Sequence, residues 1–166
     1  MIQLLIDGHN LIGQAPGLSL TDFDDEEQLV ALLRKYVAQH LRKKGSGKAV
    51  RIVVVFDSGM PGGRSQALSG GGVETVFAAD KHTTADRVLI ERIRNTKRPR
   101  EWMLVSSDRS IQQEAGRYRM PTIEAADFAR ALMPPQTSKS TAQPVESEKP
   151  EREDNIAEWI RIFRKQ

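Results

Sequence analysis

Cysteine is absent from all 166 residues of this chain, which excludes disulfide bonds, thiolate catalysis and cysteine-ligated zinc sites. The sequence also lacks any apolar run near the roughly 18 residues that a membrane-spanning helix requires. Its first residues carry no basic region, and Asp7 interrupts their apolar run, so the pattern of a secretory signal is missing too. These absences predict a cytoplasmic protein with no membrane segment.

Aromatic residues are scarce, at 5%, whereas charged residues make up 28% of the chain and hydrophobic residues 39%. These proportions are typical of a soluble globular domain with a polar appendage. The formal net charge is +3. A mildly basic chain suits a polyanionic substrate that Lys and Arg side chains hold around an acidic site.

Three short apolar runs each end on an aspartate. The runs cover residues 1–6, 51–56 and 102–107, and the aspartates that follow them are Asp7, Asp57 and Asp108. Such runs are too short for helices, so they predict buried β-strands. If the strands are parallel neighbours, the three carboxylates lie at one edge of a sheet, where open α/β folds place their functional sites.

The segments around these strands predict the rest of an α/β domain over residues 1–133. Apolar residues at helical spacing predict a long helix over 25–44 and further helices over 84–95, 110–118 and up to 132. Residues 11–21 and the glycine-rich segment 58–72 predict loops, residues 73–77 an edge strand and residues 122–123 a short strand. The alternation of strands and helices predicts a mainly parallel sheet.

The C-terminal part of the chain has a different character. Residues 134–152 are rich in Ser, Thr, Pro, Gln, Glu and Lys and predict a flexible linker. Residues 153–166 predict an amphipathic helix with Ile156, Trp159, Ile160 and Phe163 on one face. Because so short a helix is marginal alone in water, we expect it to dock on its own domain or on a second copy, as in a homo-oligomer.

The acidic residues can be explained structurally or chemically. Taken singly, Asp7 can form an Asx-turn, Asp108 can cap a helix, and Asp86 can complete a capping box with Thr83. Taken together with Asp57, they form a cluster that would repel itself unless a divalent cation lay between them. Oxygen ligands favour Mg²⁺ or Mn²⁺. The chemistry implied is hydrolysis of a phosphodiester by a metal-activated water.

Two further features have two interpretations each. His9, beside the first strand end, either contacts a phosphate of the substrate or packs in its loop. The glycine-rich segment 58–72, with Arg64, is either a flap over a strand of nucleic acid or a surface connection.

Four ordered motifs resemble the YacP-like branch of the NYN domain family, which belongs to the PIN-like nucleases. They are Ile-Asp-Gly-His-Asn-Leu-Ile at 6–12, Val-Val-Phe-Asp-Ser at 54–58, Thr-Ala-Asp-Arg-Val-Leu-Ile-Glu at 84–91 and Val-Ser-Ser-Asp-Arg-Ser-Ile-Gln at 105–112. The resemblance covers residues 1–132 and leaves out the C-terminal tail.

This resemblance implies a PIN-like three-layer α/β/α sandwich and Mg²⁺- or Mn²⁺-dependent RNA cleavage. It implies that Asp7, Asp86 and Asp108 are metal ligands, directly or through water, and that Asn10 and Asp57 help to hold the metal-bound water or these carboxylates. The remaining candidates are second-tier positions and substrate contacts. The second-tier positions are Thr84, Glu91 and Ser106, and the substrate contacts are Arg87 and Arg109 together with His9 and Arg64.

The function predicted from these features is that of an endoribonuclease. Family members linked to translation suggest mRNA on or near the ribosome as the substrate, by analogy alone. The alternative is a non-catalytic RNA-binding module whose acidic residues are structural or bind metal without turnover.

Overall fold

The computed structural model describes residues 1–42, 49–57, 62–78 and 83–133. The strands are β1 (Ile2–Asp7), β2 (Val50–Phe56), β3 (Gly63–Gly70), β4 (Val73–Phe77), β5 (Trp102–Val105) and β6 (Thr122–Ile123). The helices are α1 (Gly8–Ile12), α2 (Asp25–Arg42), α3 (Ala85–Asn95), α4 (Arg109–Arg117) and α5 (Ala125–Leu132). The predicted linker 134–152 and C-terminal helix 153–166 lie outside the described residues.

The strands form one six-stranded sheet in the order β3-β4-β2-β1-β5-β6. All neighbouring strands are parallel except β3 and β4, which pair antiparallel. The predicted α/β fold with a mainly parallel sheet is therefore confirmed. The three strands whose ends carry aspartates, β2, β1 and β5, are neighbours at its centre.

Two apolar cores cover the two faces of the sheet, because successive side chains of a strand point to opposite faces. Leu4, Ile6, Ile52 and Val54 pack with buried residues of α1, α2 and α5. On the other face, Leu5, Val53, Val55 and Leu104 pack with buried residues of α3 and α4. The chain is thus a three-layer α/β/α sandwich. No described helix is long and apolar enough to cross a membrane.

The predicted loop 58–72 is wrong in its second part, because residues 63–70 form β3. Gly71 and Gly72 have φ angles of +61° and +87°, which suits the two-residue turn of a hairpin. The high glycine content of this segment predicts a loop, although Gly-Gly before an alternating strand is also a hairpin signal. The hairpin places β3 at the edge, so the prediction of β4 as an edge strand is wrong as well. The predicted loop 11–21 also starts too early, because α1 continues to Ile12.

Gly8 is required by its neighbours rather than by its backbone angles. A Cβ atom there would lie 2.3 Å from Cδ1 and Cε1 of the Phe56 ring and 2.9 Å from the carbonyl oxygen of Val55. Both residues belong to β2, so any side chain larger than hydrogen would push α1 away from the sheet. Gly8 therefore allows α1 to begin directly against the end of β2.

We expect Gly8→Ala to destabilise the protein by about 1–3 kcal/mol, the usual cost of overpacking a rigid site. Urea unfolding measures the change. The matched control is Gly116→Ala in α4, because a Cβ atom there meets no atom within 4 Å and alanine is the better helix former. Equal effects of the two substitutions would contradict the proposed clash.

Candidate active site

The carboxyl edge of the sheet brings four acidic residues together. Asp7 ends β1, Asp57 follows β2, Asp108 follows β5 by three residues, and Asp86 lies in the first turn of α3. Burial raises the pKa of both Asp7 and Asp86; the charges of Asp86 and Asp57 add to the effect on Asp7, and those of Asp108 and Asp57 to the effect on Asp86. Asp86 is thus the member of the cluster that the other three carboxylates have in common.

Asp7 is the buried member of this cluster, with 6% of its surface exposed. One carboxylate oxygen, Oδ1, accepts the backbone N–H of Asn10 at 3.2 Å and caps α1. The other, Oδ2, accepts the hydroxyl of Ser106 at 3.1 Å. Burial raises the pKa of Asp7 despite the opposing effect of these two hydrogen bonds. Asp7 therefore has a structural role as the cap of α1 rather than in the predicted Asx-turn, and this role leaves the carboxylate fixed at the end of β1.

Ser106 links two of the acidic positions. Its buried Oγ donates to Asp7 and accepts the backbone N–H of Asp108 at 3.1 Å. Asp108 in turn caps α4: its Oδ1 accepts the hydroxyl and N–H of Ser110 at 2.5 and 2.7 Å and the N–H of Ile111 at 3.2 Å. The Ser110 hydroxyl is the main cause that lowers the pKa of Asp108. Of the two carboxylates that Ser106 links, Asp108 therefore ionises at a lower pH than Asp7.

The start of α3 is fixed by Asp57. Its Oδ1 accepts the backbone N–H of Ala85 at 2.6 Å, and Thr84 caps the helix by accepting the N–H of Arg87 at 3.4 Å. The capping box that we considered between Thr83 and Asp86 is therefore wrong, because the cap is one residue later. The Asp86 residue is exposed as a whole, but its carboxylate is partly buried. This partial burial, and then the charges of Asp108 and Asp57, raise its pKa.

Asn10 and the residues after β5 form a hydrogen-bonded support. The side-chain oxygen of Asn10 accepts the N–H of Ser107 at 2.9 Å. The side chain of Gln112 donates to the carbonyl oxygen of Ser106 at 2.7 Å and to Glu124 at 2.8 Å. Hydrogen bonds from Ser107 and Gln112 lower the pKa of Glu124. These contacts hold the segment that carries Asp108, and sequence reasoning missed Ser107, Gln112 and Glu124.

His9 contacts the site through Asp57. Its Nδ1 accepts the backbone N–H of Asp57 at 3.3 Å and lies 3.6 Å from Oδ2 of the same residue. Its Nε2 is 3.6 Å from Oε1 of Glu26. The His9 ring also packs edge-on against Phe56, with the centroids 5.4 Å apart. Nothing in the sequence around Glu26, in the first turn of α2, indicated this neighbour.

Four predicted residues lie around this cluster rather than in it. Arg87 is exposed in the first turn of α3, and Arg109 is exposed at the start of α4, where its charge helps to lower the pKa of Glu124. Glu91 and Arg64 both line a cavity between α3 and β4. Arg64 belongs to β3, an edge strand, whereas the sequence left open a flap or a surface connection there.

The donor set fits a hard divalent cation in its chemistry, since carboxylate oxygens that repel one another are stabilised by positive charge. The geometry gives a further constraint. Among the residues that the structure describes, no group of three or more acidic or histidine side chains is arranged to hold a metal ion directly. An ion at this edge would therefore be held partly through its own waters, as Mg²⁺ commonly is.

Binding of Mn²⁺ is expected to depend on pH. Asp7 and Asp86 have pKa values raised above the ordinary 3.8, so both stay protonated to higher pH than a free aspartate. Because a cation competes with those protons, its affinity should rise as pH increases through the raised values. Calorimetric titration of the protein with Mn²⁺ at several pH values measures this. If the affinity for Mn²⁺ already stops rising near pH 3.8, the raised pKa values of Asp7 and Asp86 are contradicted.

The fold and the acidic edge together define a PIN-like α/β domain. The sequence model of the YacP-like NYN domain matches residues 4–161, and the chain belongs to that family. The match reaches beyond residue 132, so our sequence-based limit of the resemblance was too short.

Solved structures share this fold. A tryptophan-to-leucine variant of Rae1 (YacP) from Bacillus subtilis matches with a TM-score of 0.59 and 22% identity, over 80% of this chain and 75% of that chain. Another Rae1 (YacP) structure from the same organism matches with a TM-score of 0.57 and 23% identity, over 80% of this chain and 74% of that chain. No curated protein matches the chain.

Proposed function

We propose that this protein is a Mg²⁺- or Mn²⁺-dependent endoribonuclease that hydrolyses phosphodiester bonds. Membership of the YacP-like NYN family supports a ribonuclease-type function. The observation that carries the metal dependence is the position of Asp7, Asp57 and Asp108 after three neighbouring strands, with Asp86 in the helix turn that Asp57 holds. Carboxylates gathered at one edge of a sheet repel one another, and a bound cation would offset that cost.

The residues have separate tasks in this proposal. Asp7, Asp86 and Asp108 would hold the ion, and Asn10, Asp57 and Ser106 would fix the segments that carry them. When bound, a divalent ion supplies positive charge beside the phosphodiester and lowers the pKa of a water. Arg87 and Arg109 are exposed at the starts of α3 and α4, where their charge favours a polyanion over a neutral substrate.

The test is to incubate the full chain with RNA and with DNA of the same sequence, in Mn²⁺ and in EDTA. We expect RNA fragments with 5′-phosphate ends only in Mn²⁺, as expected for attack by water. The Asp86→Asn variant serves as the inactive control and excludes a contaminating nuclease. Cleavage that persists in EDTA, or that the variant performs equally well, would contradict the proposal.

A second candidate is an RNA-binding module without turnover. The observation that favours it is that no described group of three acidic or histidine side chains is arranged to hold an ion directly. Its expected result is RNA binding that weakens steeply with salt and yields no product at any metal concentration. The same incubations, analysed by filter retention and by gel, separate the two functions.

Two further parts of the proposal extend beyond the site. We place the substrate with mRNA on or near the ribosome by family analogy alone. Copurification of the full chain with ribosomes from a lysate, lost after RNase treatment or at high salt, would support that substrate.

Analytical ultracentrifugation decides whether the chain is a homo-oligomer.

A further inference from the structure

A cavity of about 480 Å³ lies between α3 and the β3–β4 hairpin, on the face of the sheet that α3 and α4 cover. We name it the α3 groove. Its lining includes Arg64, Val76, Val88, Glu91, Arg92 and Trp102. Its size falls within the roughly 300–1,000 Å³ of common ligand sites.

The groove exists because the sheet is wider than its helical cover. On this face α3 packs over β1 and β2 and contacts α4, and Val76 of β4 belongs to the same core. No described residue of β3 belongs to that core, so this edge strand extends beyond α3. Gly63 and Ala78 are small, so they leave space where the hairpin meets α3.

One end of the groove lies next to the acidic edge. Phe56 of β2 pairs with Phe77 of β4, so Ala78 is level with Asp57. Helix α3 begins at that same edge, where Asp57 accepts the N–H of Ala85, and runs back along the sheet. The groove follows α3 from Val88 to Thr96 and reaches Trp102, which lies at the amino end of β5. It therefore leads from the acidic site to the opposite edge.

The lining combines apolar walls with cationic and amide groups. Val76 and Val88 are apolar, while Arg64 and Asn95 offer N–H donors. Arg92 and Arg51 both pair with the carboxylate of Glu74, at 3.3 and 3.1 Å, so Arg64 is the cation that a phosphate would contact. At the far end, the Trp102 ring lies 5.9 Å from the guanidinium carbon of Arg51. Single-stranded RNA is bound by such mixtures, because its bases stack on aromatic rings and its phosphates pair with arginine.

We propose that the α3 groove binds the single-stranded RNA segment adjacent to the bond at the acidic site, with Arg64 contacting a phosphate. The proposal rests on the proposed function for its substrate class. Arg64 is exposed on the edge strand, so its charge is available to a polyanion. The groove would add affinity for longer RNA without taking part in the chemistry.

The test compares the full-length wild-type chain with Arg64→Glu. The probes are a fluorescent dinucleotide and an oligouridine of about 8 nucleotides, bound in EDTA so that no cleavage occurs. We expect the variant to bind the longer RNA more weakly, with a salt slope reduced by about 1, and to bind the dinucleotide like wild type. In Mn²⁺, KM for the longer RNA should rise while kcat is unchanged.

The matched control is Arg130→Glu, which makes the same charge change on an exposed residue of α5, on the opposite face of the sheet. Thermal unfolding checks that both variants fold. If Arg64→Glu and Arg130→Glu bind the longer RNA equally, the groove is not the path of the strand. If the wild-type chain shows groove-dependent binding but never cleaves RNA, the nuclease function fails and the groove proposal stands.

Discussion

Replacing Asp86 by Asn is expected to abolish most RNA cleavage while leaving the fold intact. The loss should exceed the roughly 10–100-fold that follows removal of residues that only support a metal ligand. Asp86 is exposed, and within the described residues it accepts no side-chain hydrogen bond that an amide would break. Initial rates of RNA cleavage in Mn²⁺ measure the effect.

The same substitution should raise thermal stability. The pKa of Asp86 is raised in the folded protein, first by burial and then by the charges of Asp108 and Asp57. A raised pKa contributes stability that is fully present below the unfolded value and is lost as pH rises through the folded value. At neutral pH the ionised group therefore destabilises the fold, and Asn removes that effect.

The matched control is Asp127→Asn, which changes the aspartate in the first turn of α5. Asp127 is an exposed residue that pairs with Arg130, so its loss should change stability little and cleavage not at all. If Asp86→Asn keeps wild-type activity, or if both variants lose it equally, Asp86 is not a ligand.

Ser106→Ala is expected to lower both stability and activity. The substitution leaves Oδ2 of buried Asp7 without its donor and the N–H of Asp108 without its acceptor. An unsatisfied buried polar group costs about 1–3 kcal/mol. The pKa of Asp7 should rise further, because the Ser106 hydroxyl opposes the effect of burial. Cleavage should fall by about 10–100-fold, as for residues that position a ligand.

Urea unfolding and cleavage rates at several pH values test this prediction. Thr75→Val is the control, because Thr75 is fully buried in β4 and donates to the carbonyl oxygen of Leu68 at 3.0 Å. That variant should lose stability but keep the activity of each folded molecule. If Ser106→Ala also keeps full activity and the same pH profile, Ser106 has only a structural role.

The residues at the strand ends were predictable from local pattern. Runs such as 51–56 are apolar throughout because β2 is covered on both faces, and the aspartate that follows each run marks where the strand leaves the core. The helix that contains Asp86 was also predictable from local pattern, because Leu89 and Ile93 are four residues apart and lie on one buried face.

The contacts between these elements were not predictable. The hydroxyl of Ser106 meets Asp7 across 99 residues of sequence, and no local feature distinguishes it from Ser107. Likewise, the nearness of Glu26 to His9 depends on how α2 packs on the sheet. The hairpin was missed because glycine permits many conformations, and only pairing with β4 selects the extended one.

The sequence by itself determined the strands that aspartates follow and the helices α2 to α5, because hydrophobic periodicity depends on neighbours along the chain. Only the tertiary structure decided that β2, β1 and β5 lie side by side, which gathers the carboxylates. It also decided that a groove remains between α3 and the β3–β4 hairpin. Strand order and helix cover depend on how the whole chain fills its core, and local patterns do not encode that arrangement.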